Sequence, residues 1–162
     1  IGLSTLTYLF EGIMIHSDSL GTESEIQPEV VNWMTAGKEI VHSERTPEYL
    51  RNQVKNLHGL LIWVSLPKEF EEIEPNFFQV ESKSPPRWKE DGLDFKLIAG
   101  EIFGNKSPIP MYSPMYFMKI KSKEKQTVNI GDQLFDECGM YILERKTFSV
   151  GHTFESKQIL IA

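Results

Sequence analysis

The chain reads as an all-β protein, a barrel or a sandwich, and three features of the sequence carry that reading. Short stretches rich in β-branched and aromatic residues recur, beginning with Thr5-Leu6-Thr7-Tyr8-Leu9-Phe10. Turn words punctuate them: Glu11-Gly12, Asp18-Ser19-Leu20-Gly21 and Ala36-Gly37. The apolar run at residues 59–66 has the length of a strand and is stopped by Pro67. Short strands with turns at this spacing build closed or double-layered β architectures.

Taken in order, residues 5–10 predict a strand, Glu11-Gly12 a turn, and residues 13–15 the returning arm of a hairpin. Residues 23–27 form a short polar strand ending at Pro28, and residues 30–34 the next strand. Thr46-Pro47-Glu48 has the form of a helix start, with threonine as the cap and proline at the first position. Residues 59–66 read as a strand buried on both faces. Residues 68–75 carry four glutamates and read as a solvated connection. Residues 82–92, with Pro85, Pro86 and Gly92, look like an interdomain linker. A second β block follows, with strands expected at residues 93–99, 115–119, 127–130, 140–144, 148–150 and 158–162.

The length, 162 residues, suits one ordinary domain or two small ones. With 40% apolar and 25% charged residues, the chain has the profile of a soluble globular protein. The net charge is −6 and the basic residues are scattered, which argues against a direct grip on nucleic acid. No apolar run approaches the roughly 20 residues of a membrane helix. Cys138 is the single cysteine, so no disulfide framework is expected and a reducing, cytoplasmic setting fits. The sequence starts at Ile1 without methionine, and the true N-terminus is expected upstream.

The chemistry concentrates in His42-Ser43-Glu44. In an extended segment, residues two apart share a face, so His42 and Glu44 project together, above Ile40, while Val41 and Ser43 point the other way. An imidazole beside a carboxylate is half of a site for iron, manganese or zinc. The spacing alone is weak evidence, since a surface strand end gives the same pattern. The other histidines read as bland: His16 as a solvated or turn-capping residue at a hairpin end, His58 as a satisfied core histidine, and His152 as part of a polar loop. The aromatic side chains Tyr8, Phe10, Trp33 and Trp63 read as core, some of them able to line a cavity in a small barrel.

The words around His42 sharpen this. Trp33-Met34-Thr35-Ala36-Gly37 followed by Ile40-Val41-His42-Ser43-Glu44-Arg45-Thr46-Pro47 resembles the signature of the pirin family. The resemblance takes in Thr5 to Gly12, His16 to Gly21, Leu57-His58-Gly59-Leu60 and Trp63 to Pro67, and it fades over the last third. Pirins are bicupins, two jelly-roll β-barrels in one chain. The resemblance therefore implies two cupin domains: residues 1–92 with the metal site, and residues 93–162, short enough to be abbreviated or incomplete. It implies iron(II) held by three histidines and a glutamate, with His42 and Glu44 as two of the four ligands. The other two belong to an H-P-H sequence expected just before Ile1. It also implies one of two activities. One is cleavage of the flavonol quercetin with O₂ by a 2,3-dioxygenase in which Glu44 is the catalytic base. The other is redox-sensitive regulation through a protein partner, a transcription factor or a metabolic enzyme. A cupin that has lost its metal and serves as a scaffold is a third class. The family usually has glycine where this chain has Glu29 and Glu39; if either turn needs positive φ, glutamate is strained there.

Overall fold

The protein is described here by a computed structural model, which covers residues 2–128, 130, 131, 134, 137–149 and 151–161. The strands are β1 (Leu3–Glu11), β2 (Met14–Asp18), β3 (Glu23–Ile26), β4 (Val31–Thr35), β5 (His42–Arg45), β6 (His58–Ser65), β7 (Asn76–Val80), β8 (Arg87–Glu90), β9 (Leu93–Ile102), β10 (Asn105–Lys106), β11 (Tyr116–Ser122), β12 (Gly139–Tyr141), β13 (Lys146–Ser149), β14 (His152–Glu155) and β15 (Ile159–Ile161). The fold is all-β and cupin-like. Helical structure among the described residues is confined to short 3₁₀ turns such as Glu48–Leu50 and Lys68–Phe70.

Two sheets build the part that matters for the site. One has the order β6-β1-β4-β7, and the other β3-β2-β5. One face of the four-stranded sheet buries Leu6, Tyr8, Val31 and Trp33 against Ile98, Ala99 and Ile109. Its opposite face meets the three-stranded sheet, through Thr7 to Glu44, Phe77 to His16, and the Gln79 amide to the Glu25 carbonyl. Because both faces are covered, every residue of β4 is buried, and alternation is lost there.

Several local expectations change. Residues 5–15 do not form a hairpin: β1 pairs with β4 and β6, while β2 pairs with β3 and β5. Gly12 (φ 90°) turns the chain from one sheet into the other, beside a register shift between Leu9 and Glu11. The run at residues 59–66 is an edge strand, β6, with Leu61 and Trp63 exposed, rather than a strand buried on both faces. Thr46 caps nothing; Pro47 precedes a single 3₁₀ turn. The proline-rich stretch at residues 82–92 holds β8, joined to β9 by a two-residue turn in which Asp91 (φ 49°) and Gly92 (φ 78°) are both left-handed. Of the strand expected at residues 127–130, residue 129 lies outside the described residues and the others are not in strands. Val150 and Ala162, at the ends of two other expected strands, also lie outside them.

The chain divides by packing into two units, Ile1–Gln126 and Thr127–Ala162. In the first unit, β9 and β11 pair with each other, and β9 and the residues after it fill the core under β1 and β4. The second unit contains the antiparallel pairs β12–β15 and β13–β14.

An ionic cluster ties β9 to the turn before β4. Lys96 is 3% exposed, and its Nζ donates to the Tyr8 hydroxyl (3.1 Å), the Glu29 carbonyl (2.9 Å) and Glu29 Oε2 (3.0 Å). Lys119 and Arg87 reach the same carboxylate. Burial alone would raise the Glu29 carboxyl, but hydrogen bonds from Lys119, Lys96 and Tyr8 overcome it and hold the group down at about 2. Burial lowers the Lys96 ammonium, against the opposing pull of Glu29. Burial, followed by the Glu29 charge, pushes the Tyr8 phenol up.

Candidate metal centre

β5 carries His42 and Glu44 and pairs antiparallel with β2, which sets Asp18 opposite His42 and His16 opposite Glu44. Residues directly opposite in an antiparallel pair share a face, as do residues two apart on one strand. His16, Asp18, His42 and Glu44 therefore share one face of the three-stranded sheet. Glu44 is half-buried, and its Oε1 accepts a hydrogen bond from the Thr7 hydroxyl on β1 (2.8 Å). That bond fixes the carboxylate against the facing sheet and leaves its second oxygen for other work. His42 lies at the solvent end of β5 and is exposed, while Val41 is 67% exposed and Ser43 half-buried.

His16 is not the solvated hairpin-end residue expected. It is 2% exposed, and its Nε2 lies 3.0 Å from Asp18 Oδ2. Its ring is near-parallel to that of Phe77 on β7 (centroids 4.3 Å apart, 17°) and to that of His42 (5.7 Å, 21°). Asp18 is the turn-capping residue, accepting at Oδ1 from the backbone N–H groups of Leu20 and Thr22. Burial would raise the Asp18 carboxyl, but the bonds from His16, Thr22 and Leu20 bring it below the ordinary range. His58 is exposed at the start of β6, tilted against Phe10, rather than buried in the core. His152 opens β14 and is exposed. Of these, His16 and Asp18 carry a signal in the sequence: H-x-D in β2 has the same period-two spacing as H-x-E in β5. Thr7 carries no such signal, because only the pairing of the two sheets brings it to Glu44.

The donor chemistry fits a divalent metal in part. Imidazole and carboxylate are suitable ligands, but among the described residues no group of three or more His, Cys, Asp or Glu side chains is arranged to hold an ion. His42 and Glu44 are thus two candidate donors on one face of the sheet. No helix of the described residues is long and apolar enough to cross a membrane.

Comparison with known proteins agrees with this architecture. Residues 1–64 match the family model described as Pirin. A pirin-like protein of Caulobacter vibrioides is 52% identical over 119 residues, covering 73% of this chain and 41% of that protein. The crystal structure of a quercetin 2,3-dioxygenase from Acinetobacter baumannii has a TM-score of 0.87 at 28% identity, over 99% of this chain and 52% of the other. The bacterial pirin YhhW of Escherichia coli, solved in complex with nickel(II), shares the fold with a TM-score of 0.54 at 16% identity, over 99% of this chain and 63% of its own. The chain spans less than half the length of the curated relatives it matches. With the family model lying over the residues that bring His16, His42 and Glu44 together, and the cupin-like sheets around them, the chain belongs to the pirin family.

Proposed function

We propose that this protein is a metal-dependent flavonol dioxygenase of the quercetin 2,3-dioxygenase type, with His42 and Glu44 as iron(II) ligands and Glu44 also as general base. The observation that carries the reading is the shared face of His42 and Glu44, with Thr7 holding Glu44 Oε1. The resemblance to pirins implies two further histidine ligands in the full-length protein, which would complete the set. When bound, iron(II) supplies Lewis acidity and electron transfer toward O₂. Glu44, with Oε1 held by the Thr7 hydroxyl, would supply the carboxylate that both holds the metal and accepts the proton of the flavonol's enolic hydroxyl. We assign the protein to the cytoplasm, a reading supported by its single cysteine.

The test is quercetin consumption with matching O₂ uptake by the full-length, iron-loaded protein. Glu44→Gln keeps the shape of the side chain but cannot accept a proton, so kcat should fall by roughly 10²–10⁴-fold, the usual worth of general base catalysis. Iron content is measured on the same samples, since Gln is also the poorer ligand. Equal turnover at matched iron would remove Glu44 as base. A net charge of −6 also suits docking onto a basic protein partner. Absence of flavonol turnover, together with partner binding that changes with the iron oxidation state, would favour a redox-sensitive regulator of a transcription factor or metabolic enzyme.

A further inference from the structure

The pair His16–Asp18 lies beside the proposed ligands without being one of them. His16 is almost fully buried, which costs free energy for a polar ring unless it is held by partners. Its edge is held by Asp18 at 3.0 Å, and Asp18 is itself anchored by two backbone N–H groups of the β2–β3 turn. Its face lies near-parallel to the Phe77 ring at 4.3 Å, a close stack that brings in the facing sheet. Two rotations of the His16 ring are therefore restrained, one by the hydrogen bond and one by the stack. The His42 ring lies near-parallel to it at 5.7 Å, within the range of offset aromatic contacts. His42 itself is exposed at the end of a four-residue strand, and of these rings it is the most exposed, Phe77 being half-buried and His16 buried.

We infer that His16 is a positioning residue: its clamped ring is the flat wall that sets the plane of the His42 imidazole, and so aims the His42 nitrogen lone pair. This rests on the reading of His42 as a metal ligand. A ligand whose ring plane is fixed in advance loses less freedom on binding the metal, and supports of this kind are typically worth roughly 10–100-fold in metal affinity.

Two substitutions separate the face of His16 from its edge. His16→Phe keeps the flat ring and loses the bond to Asp18. His16→Gln keeps a donor for Asp18 and similar bulk but loses the ring. Both are made in the full-length protein, with folding checked by circular dichroism and thermal unfolding. Nickel(II) affinity is then measured by competition with a chelator, and the ligand-field absorption of the cobalt(II)-loaded protein is recorded. His16→Gln should weaken nickel binding roughly 10–100-fold and shift the cobalt(II) bands, while His16→Phe should stay within a few-fold of the parent with an unshifted spectrum. Gln binding as tightly as His, or Phe performing no better than Gln, overturns the positioning role. His42→Ala is the control for the underlying reading: if it leaves nickel affinity unchanged, His42 is not a ligand, and that failure is distinct from a failure of His16 to position it.

Discussion

At the scale of single residues, the backbone of this chain makes an instructive contrast between two glutamates, Glu29 and Glu39, each beside a turn. Glu29 sits at φ 70°, in the left-handed region, whereas Glu39 has no positive φ, and the turn ahead of it is made instead by Gly37 (φ 50°). The Pro28-Glu29 word is enough to raise the question of strain, but only the fold answers it, because the φ a turn demands depends on the strands it joins. Thr7 is the second case. Nothing in its neighbourhood distinguishes it from other strand threonines, yet its hydroxyl holds Glu44 Oε1 at 2.8 Å. Thr7→Val preserves shape and strand propensity while deleting the donor. Stability should change by less than about 1.5 kcal/mol, the usual net worth of one hydrogen bond. Metal affinity of the full-length protein should fall roughly 10-fold, because an unsupported carboxylate is a poorer ligand. Isothermal titration with nickel(II) alongside urea unfolding measures both, and unchanged affinity would mean that Thr7 does not orient Glu44.

At the scale of elements, the period-two rule alone puts His42 and Glu44 on one face, and the same rule applied to His16 and Asp18 assembles the rest of that face. Which strands pair is not legible in the sequence. Glu11-Gly12 has the form of a hairpin turn, yet Gly12 carries the chain between sheets, and a local turn signal does not say which sheet the next strand joins. β8 is hidden for a related reason: its prolines precede the strand and give the whole stretch the look of a linker, which masks Asp91-Gly92, a strong hairpin word. The segment before β5 depends on Gly37. A Cβ there would collide with the Ile73 carbonyl, which accepts from the Lys38 N–H at 3.0 Å, and the Gly37 carbonyl accepts from the Gly2 N–H at 3.0 Å. Gly37→Ala adds left-handed strain of about 1–2 kcal/mol and forces the 72–75 segment to move. A loss of at least about 2 kcal/mol in urea unfolding is expected, with weakened metal binding as β5 is displaced. A variant as stable as the parent would show that this turn has room to relax.

At the scale of the whole molecule, one ion cluster joins parts of the chain far apart in sequence: Tyr8 in β1, Glu29 before β4, and Lys96 and Lys119 in the paired strands β9 and β11. Composition hides it, because a charged residue is expected on a surface, and nothing in the sequence marks Lys96 as a residue that is 3% exposed. Its consequence is a defined acid sensitivity. The Glu29 carboxyl is depressed to about 2 from an ordinary 4.5, so the folded state favours the ionised form. A depressed carboxylate contributes stability that is fully present above the unfolded value and is lost as pH falls toward the folded one. The contribution of Glu29 should therefore be intact above about pH 4.5 and should disappear between there and about pH 2. Glu29→Gln removes the titrating charge and leaves the Lys96 ammonium buried with the Tyr8 hydroxyl and the residue 29 carbonyl as its partners. Breaking a buried ion pair by removing one member is destabilising, so the variant should be less stable at neutral pH. It should also lose stability less steeply than the parent as pH falls through that window. The two stability curves should converge toward about pH 2, where the parent too has lost its carboxylate. Urea midpoints measured from pH 7 downward test this directly. Parallel curves, with a constant gap between parent and variant across the window, would mean that Glu29 is not the group responsible, and that the cluster holds β9 through the Glu29 carbonyl and the Tyr8 hydroxyl instead.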